Sequence, residues 1–194
     1  YYNEYLSNLF SLECWGGATF DTSMRFLKED PWDRLARLNS RAPNLLKQML
    51  FRGSNAVGYK NYPDNVVKHF IQQSAEVGID VFRVFDSLNL IDNMRVAIDE
   101  VRNQNKICEG TICYTNDVTD QNEKKYTLKY YLDLVKDLEK AGTELAPLGV
   151  DGSGKYFAEW RTGNWMIYPG STWHRPGIVQ STEDRYIVAA DMEF

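Results

Sequence analysis

Five residues follow apolar runs along this chain and carry side chains that could do chemistry: Asp21, Arg52, Asp86, Tyr114 and Thr115. Each comes at or shortly after the end of a strand-like stretch: LECW (12–15), LLKQMLF (45–51), DVFRVFD (80–86) and ICEGTICY (107–114). A guanidinium held at such a place offers a rigid two-toothed donor that fits a carboxylate. For an arbitrary arginine a surface ion pair is the ordinary use; the position of Arg52, directly before Gly-Ser-Asn, shifts the reading toward a ligand. Two histidines, His69 and His174, lie far apart in the sequence. The three cysteines, Cys14, Cys108 and Cys113, form an odd set, and Cys108 and Cys113 would face opposite sides of one strand. Buried reduced thiols in a reducing compartment are the expectation.

These residues need a scaffold, and the pattern between them supplies one. Asp30 before Pro31, with Leu35 and Leu38 beyond, reads as an N-cap followed by proline at the first helical position. Asp64 opens a run placing Val66, Val67, Phe70 and Ile71 together, closed by Gly78. Asp92 opens Met94, Ile98 and Val101, and Thr127 opens a helix through Leu138 that Gly142 ends. Strand then helix about every 30 residues is the rhythm of βα units in a parallel sheet, open or closed as a barrel. In such sheets the carboxyl ends of the strands carry the chemistry, so the residues named above would share one rim.

After Gly142 the rhythm stops. ELAPLGVDGSGKY is loop-like, and RYIVAADMEF alternates as a half-buried antiparallel strand does. A boundary is expected near 143–155, giving 1–142 as a partial barrel-like α/β domain of about four βα units and 143–194 as a β-rich tail of different origin. The chain has 194 residues, 43% of them hydrophobic, and a net charge of −5 with the two signs mixed, so a nucleic-acid backbone has little to attract it. No apolar run reaches the roughly 18 residues that span a bilayer. A soluble protein of the cytoplasm or the mitochondrial matrix is expected.

SLECWGGATFD (11–21), RFLKEDPW (25–32), FRGSNAVGYKNYPDNVV (51–67), DVFRVFDSLN (80–89) and KYTLKYYLDLVKDLEKAG (125–142) together resemble the carboxyltransferase domain of pyruvate carboxylases, from about residue 5 to 142. The resemblance implies an eight-stranded βα barrel, biotin as carboxyl carrier, pyruvate as acceptor and a biotin carrier domain as partner. It puts the pyruvate-binding arginine at Arg52, which could also stabilise the enolate. Asp21 and Tyr59 take the places of a carboxylate and a phenol near the biotin ring that support proton transfer. On residue type alone, an aspartate capping the next helix and a tyrosine packed on the rim would serve as well.

The pattern then departs from the family. The metal site that the resemblance calls for needs an aspartate on the first barrel strand, a carbamylated lysine and a His-x-His pair, and these segments do not occur in the sequence. The threonine expected to exchange a proton with biotin is missing too. A fragment inactive by itself is therefore expected, with self-association through open sheet edges. WRTGNWMIYPGSTWHRPGIVQSTEDRYIVAADMEF (160–194) is similar to the last strands of a 2-oxoglutarate/Fe(II) oxygenase, in which His174 would be a metal ligand and Arg185 would hold the co-substrate. The upstream His-x-Asp or His-x-Glu pair of that family is absent. A non-enzymatic half barrel that binds a small carboxylate is the third reading.

Overall fold

Four parallel strands in the order β1-β2-β3-β4 form one sheet: β1 Ser11–Trp15, β2 Leu46–Phe51, β3 Val81–Val84 and β4 Ile107–Gly110. The computed structural model describes residues 2–5, 9–117, 120–143, 148–150 and 156–158. A four-residue turn of helix, α1 (Tyr2–Tyr5), precedes the sheet. The crossovers are helical: α2 Gly17–Thr22, continued by a π-helical turn over Ser23–Leu27, then α3 Pro31–Arg41 between β1 and β2; α4 Asp64–Val77 between β2 and β3; and α5 Ile91–Asn103 between β3 and β4. Helix α6 (Leu128–Ala141) follows β4. This is the α/β architecture expected, four βα units of a barrel-type sheet.

Period-2 alternation divides the sheet into two unlike faces. Trp15, Met49, Phe51, Phe82, Val84 and Cys108 point to the helices and are buried with Leu35 of α3, Val67 and Ile71 of α4, Ile98 and Val101 of α5, and Leu138 of α6. Strand register keeps these rows aligned, with Trp15 beside Met49, Phe82 beside Met49 and Cys108 beside Phe82. Lys47 shares that face at its far end, where it is buried and its ammonium donates to the carbonyls of Ala42 and Leu45. The other face bears Glu13, Gln48, Arg83 and Glu109.

Helix ends follow local chemistry closely. The Asp30 carboxylate accepts from the Trp32 N–H at 2.8 Å with Pro31 as the first helical residue, and the Thr127 hydroxyl accepts from the Tyr130 N–H at 3.2 Å. Gly142, at φ 90°, closes α6. Asp92 does not cap α5 as the sequence suggested; Asp86 does the local work instead, accepting from the Leu88 and Leu90 N–H groups at 2.9 and 3.0 Å and from the Asn93 amide at 3.0 Å. Strand β4 is shorter than the apolar run 107–114, because its partner β3 ends at Val84, whose carbonyl accepts from Thr111 N–H as the last rung. Beyond it, the Asn89 side chain takes over, accepting from Cys113 N–H at 2.8 Å and donating to Cys113 C=O at 2.9 Å.

Within the stretch expected to be loop, Leu148–Val150 (β5) pairs antiparallel with Tyr156–Ala158 (β6). His174, Arg185 and the strand expected over 185–194 lie outside the described residues.

Candidate functional site

The loop leaving β2 is tightly bonded. Arg52 N–H donates to Ala56 C=O at 2.9 Å, Asn55 N–H to Arg52 C=O at 2.8 Å, Gly58 N–H to Asn55 C=O at 2.7 Å and Tyr62 N–H to Ser54 C=O at 2.9 Å. Gly53 sits at φ 45° with Asn93 C=O only 2.7 Å from where a Cβ would be, so the loop lies directly on the start of α5. That closed loop fixes the backbone of Arg52, which is half-buried.

The guanidinium of Arg52 donates to Gly58 C=O at 3.2 Å, and its Cζ lies 5.0 Å from the centroid of the Tyr59 ring. Arg25, Arg34, Arg37, Arg83 and Arg95 each hold a carboxylate. Arg52 does not: no carboxylate among the described residues pairs with it. A half-buried arginine with one carbonyl and one ring as partners keeps several N–H donors for something else. Tyr59 is 73% exposed, so the outer face of its ring is open to solvent.

Asp21 is delivered by α2. That short helix is fastened to the core by an aromatic cluster in which Trp15 and Phe20, Phe20 and Trp32, and Trp32 and Phe70 have ring centroids 5.9, 5.6 and 5.2 Å apart. Asp21 lies one turn beyond Gly17, and Gly17 abuts Arg52, with the guanidinium carbon 3.1 Å from a notional Cβ. The Gly-Gly after β1 therefore lets the chain pass against the Arg52 loop. The Asp21 carboxylate itself is held by Arg25 at 2.7 Å. Thus Arg52 and Tyr59 are brought into contact, and Asp21 lies on the neighbouring helix with its oxygens turned to another partner.

Sequence comparison supplies the family. Pyruvate carboxylase of Bacillus subtilis is 60% identical over 137 residues, covering 71% of this chain and 12% of that protein. The human mitochondrial pyruvate carboxylase is 52% identical over 139 residues, 72% of this chain and 12% of the relative. The carboxyl transferase domain of Rhizobium etli pyruvate carboxylase, solved with pyruvate and biocytin, superposes with a TM-score of 0.72 at 62% identity, over 73% of this chain and 24% of that one. Over this stretch the chain is a carboxyltransferase segment of the pyruvate carboxylase type. It spans about an eighth of the length of the curated relatives it matches and no family model matches it. The oxygenase likeness of residues 160–194 gains no support from these relatives.

The carboxyltransferase segment also holds a polar layer that was not singled out in the sequence. On the face away from the helices, Arg83 of β3 donates to Glu109 of β4 at 3.0 Å and reaches across β2 to Glu13 of β1 at 2.9 Å. Gln48 of β2 bridges the same two carboxylates, donating at 3.0 Å to Glu13 and 3.1 Å to Glu109, and accepts from the Ser11 hydroxyl at 2.6 Å. Burial pushes the Glu109 carboxyl above its ordinary 4.5, with the Arg83 charge and hydrogen bond pulling the other way. The available signal was a polar residue inside each of four apolar runs and on one face of the strand: the Glu of LECW, the Gln of LLKQMLF, the Arg of DVFRVFD and the Glu of ICEG.

The remaining rim residues are structural. Asp86 holds the β3–α5 loop, the Tyr114 ring packs 5.1 Å from that of Tyr131, and Thr115 N–H donates to the Tyr131 hydroxyl at 3.1 Å. Among the described residues no three His, Cys, Asp or Glu side chains converge as metal ligands. His69 is exposed on α4. No described helix is long and apolar enough to cross a membrane. The relatives include mitochondrial and bacterial enzymes.

Proposed function

We propose that this chain supplies the pyruvate-binding side of a biotin-dependent carboxyltransferase site, with Arg52 as the carboxylate holder. The observation that carries the reading is the free fork of Arg52: a half-buried guanidinium fixed by a closed loop, resting on Tyr59 and Gly58 C=O, with no acidic partner among the described residues. The Rhizobium etli carboxyl transferase domain has been solved with pyruvate and with oxamate and biotin, which supports this reading. In the reaction proposed, the methyl carbon of pyruvate gives up a proton, and the resulting enolate takes the carboxyl group released by carboxybiotin to form oxaloacetate. Arg52 would orient the pyruvate carboxylate and stabilise negative charge on the enolate oxygen. The Tyr59 phenol would relay a proton, and Asp21 would orient the biotin side once it leaves Arg25.

In the same reading residues 1–142 form the carboxyltransferase part, residues 143–194 a separate part, and a biotin carrier domain the partner. The compartment follows that of the relatives, cytoplasm or mitochondrial matrix.

Titration calorimetry with oxalate, a rigid dicarboxylate resembling the enolate, tests the assignment. The expected result is binding that Arg52→Lys weakens by about tenfold, because an ammonium cannot reproduce the bidentate geometry. Equal affinity in the two forms, or heat unchanged by either, would remove Arg52 from the role.

A further inference from the structure

Gly17 opens α2, and nothing about its backbone asks for glycine. Gly53, Gly78 and Gly142 sit at φ 45°, 125° and 90°, where a side chain is strained, and Gly16 is at φ 156°. Gly17 has no such φ and is the first residue of a helix, a place that other residues take without backbone strain. The space decides instead. A Cβ at Gly17 would stand 3.1 Å from the Arg52 guanidinium carbon, 3.2 Å from its Nη1 and 2.7 Å from Val57 C=O. Carbon atoms in contact prefer roughly 3.5–4.0 Å, so a methyl group here must displace the guanidinium, the loop, or both.

The guanidinium has little freedom to yield in place. It rests on the Tyr59 ring, its Nη1 donates to Gly58 C=O, and the α2 backbone at Gly17 lies against it. We propose that Gly17 is a positioning residue for Arg52: its missing side chain is what allows the guanidinium to lie between α2 and Tyr59 with its remaining donors presented to a carboxylate. The carboxylate part of this inference rests on the function proposed above; the positioning part does not. Gly17 touches no substrate and acts only through Arg52.

A double-mutant cycle separates the two. Gly17→Ala, Arg52→Ala and the double variant are compared with the parent chain by thermal unfolding, by the Arg52 Nε–H resonance in 15N-arginine-labelled protein, and by oxalate calorimetry. If the guanidinium is the group displaced, Gly17→Ala lowers the midpoint by roughly 5 °C more in the parent than in Arg52→Ala. The Arg52 Nε–H resonance then moves to the position it takes when Tyr59→Leu removes the ring, and oxalate binding falls about tenfold or more. An equal midpoint loss in both backgrounds, with the resonance unmoved, overturns the proposal and assigns the glycine to Val57 C=O alone. If Gly17→Ala fails to fold, recovery of a cooperative transition in the double variant supports the inference, and failure of both refutes it. Coupling in stability and resonance without oxalate binding to the parent leaves Gly17 as the positioning residue and rejects the carboxylate reading instead.

Discussion

Replacing Arg83 by methionine should cost this protein more than any other single change on the polar face of its sheet. Arg83 is only 5% exposed, and it alone brings positive charge to Glu13 and Glu109 within that layer. Methionine preserves the apolar stem and deletes both ion pairs, leaving two carboxylates sharing the Gln48 amide. Removing one partner of a buried pair typically costs about 3–5 kcal/mol. Glu13 is 38% exposed and Glu109 21%, so water recovers part of the loss and the lower end, about 3 kcal/mol, applies. With a urea dependence of about 2 kcal/mol per molar, the unfolding midpoint should drop by about 1.5 M. The pH dependence has a definite sign. Glu109 has a folded pKa above its ordinary 4.5, so between those values the folded state binds more protons than the unfolded one and stability declines as pH rises. Arg83 is what restrains that shift; without it the folded pKa rises further and the decline extends to higher pH. The difference between parent and variant should thus be smallest below about pH 4.5 and grow toward neutrality. A midpoint difference below about 0.3 M, or one that does not change with pH, would refute the view that Arg83 neutralises these two carboxylates.

Asp30→Ala removes the side-chain cap on Trp32 N–H and should lower stability by about 1 kcal/mol, read as a shift in the thermal midpoint, with Asp30→Asn close to the parent. Cys14 should resist alkylation: burial pushes its thiol to about 11 against a smaller opposing pull from Lys47, so peptide mapping after iodoacetamide should find it largely unmodified at pH 8 and increasingly modified above pH 10. Rapid labelling of Cys14 at pH 8 in folded protein would contradict the burial on which that shift depends.

How much of this could be read from the sequence varied with the range of the interaction that decides each feature. The start of α3 is settled by three adjacent residues, Asp30, Pro31 and Trp32, and was legible to the residue. The start of α5 depends on Asp86 folding back over Leu88 and Leu90, a loop conformation that no spacing rule announces, and Asp92 was read in its place. The extent of β4 is decided by where β3 ends, and that is a fact about another strand. The parallel sheet and its three helical crossovers followed from rhythm alone, and Arg52 and Asp21 stood out by their places after the strands, whereas Tyr59 and the roles of all three came through resemblance. Structure then discriminates among them: it joins Arg52 to Tyr59, and it gives Asp21 to Arg25. The polar layer escaped notice because each of its members is a charged or amide residue in an apolar run, and only strand register pairs Glu13 with Gln48 and Arg83 with Glu109, the side chains then joining the two pairs.

The Arg25 contact decides what Asp21 can do, and its energy is small. Arg25 is 67% exposed and its pair with Asp21 spans one helical turn, an arrangement worth about 0.3–0.5 kcal/mol in water and less in salt. A ligand or a tyrosine hydroxyl offering one hydrogen bond to the charged carboxylate gains more than that. The pair therefore parks Asp21 without committing it, whereas Arg52 is held by a closed loop, a carbonyl and a ring, and has no comparable alternative. Binding energy at this site should accordingly come from the fixed arginine first, with Asp21 recruited after the ligand is seated. Arg25→Ala follows as a test of that order: it frees Asp21 without touching Arg52, so oxalate affinity should change by less than about twofold, the factor that 0.5 kcal/mol corresponds to. A tenfold loss on removing Arg25 would mean that Arg25, and not Arg52 alone, holds the carboxylate.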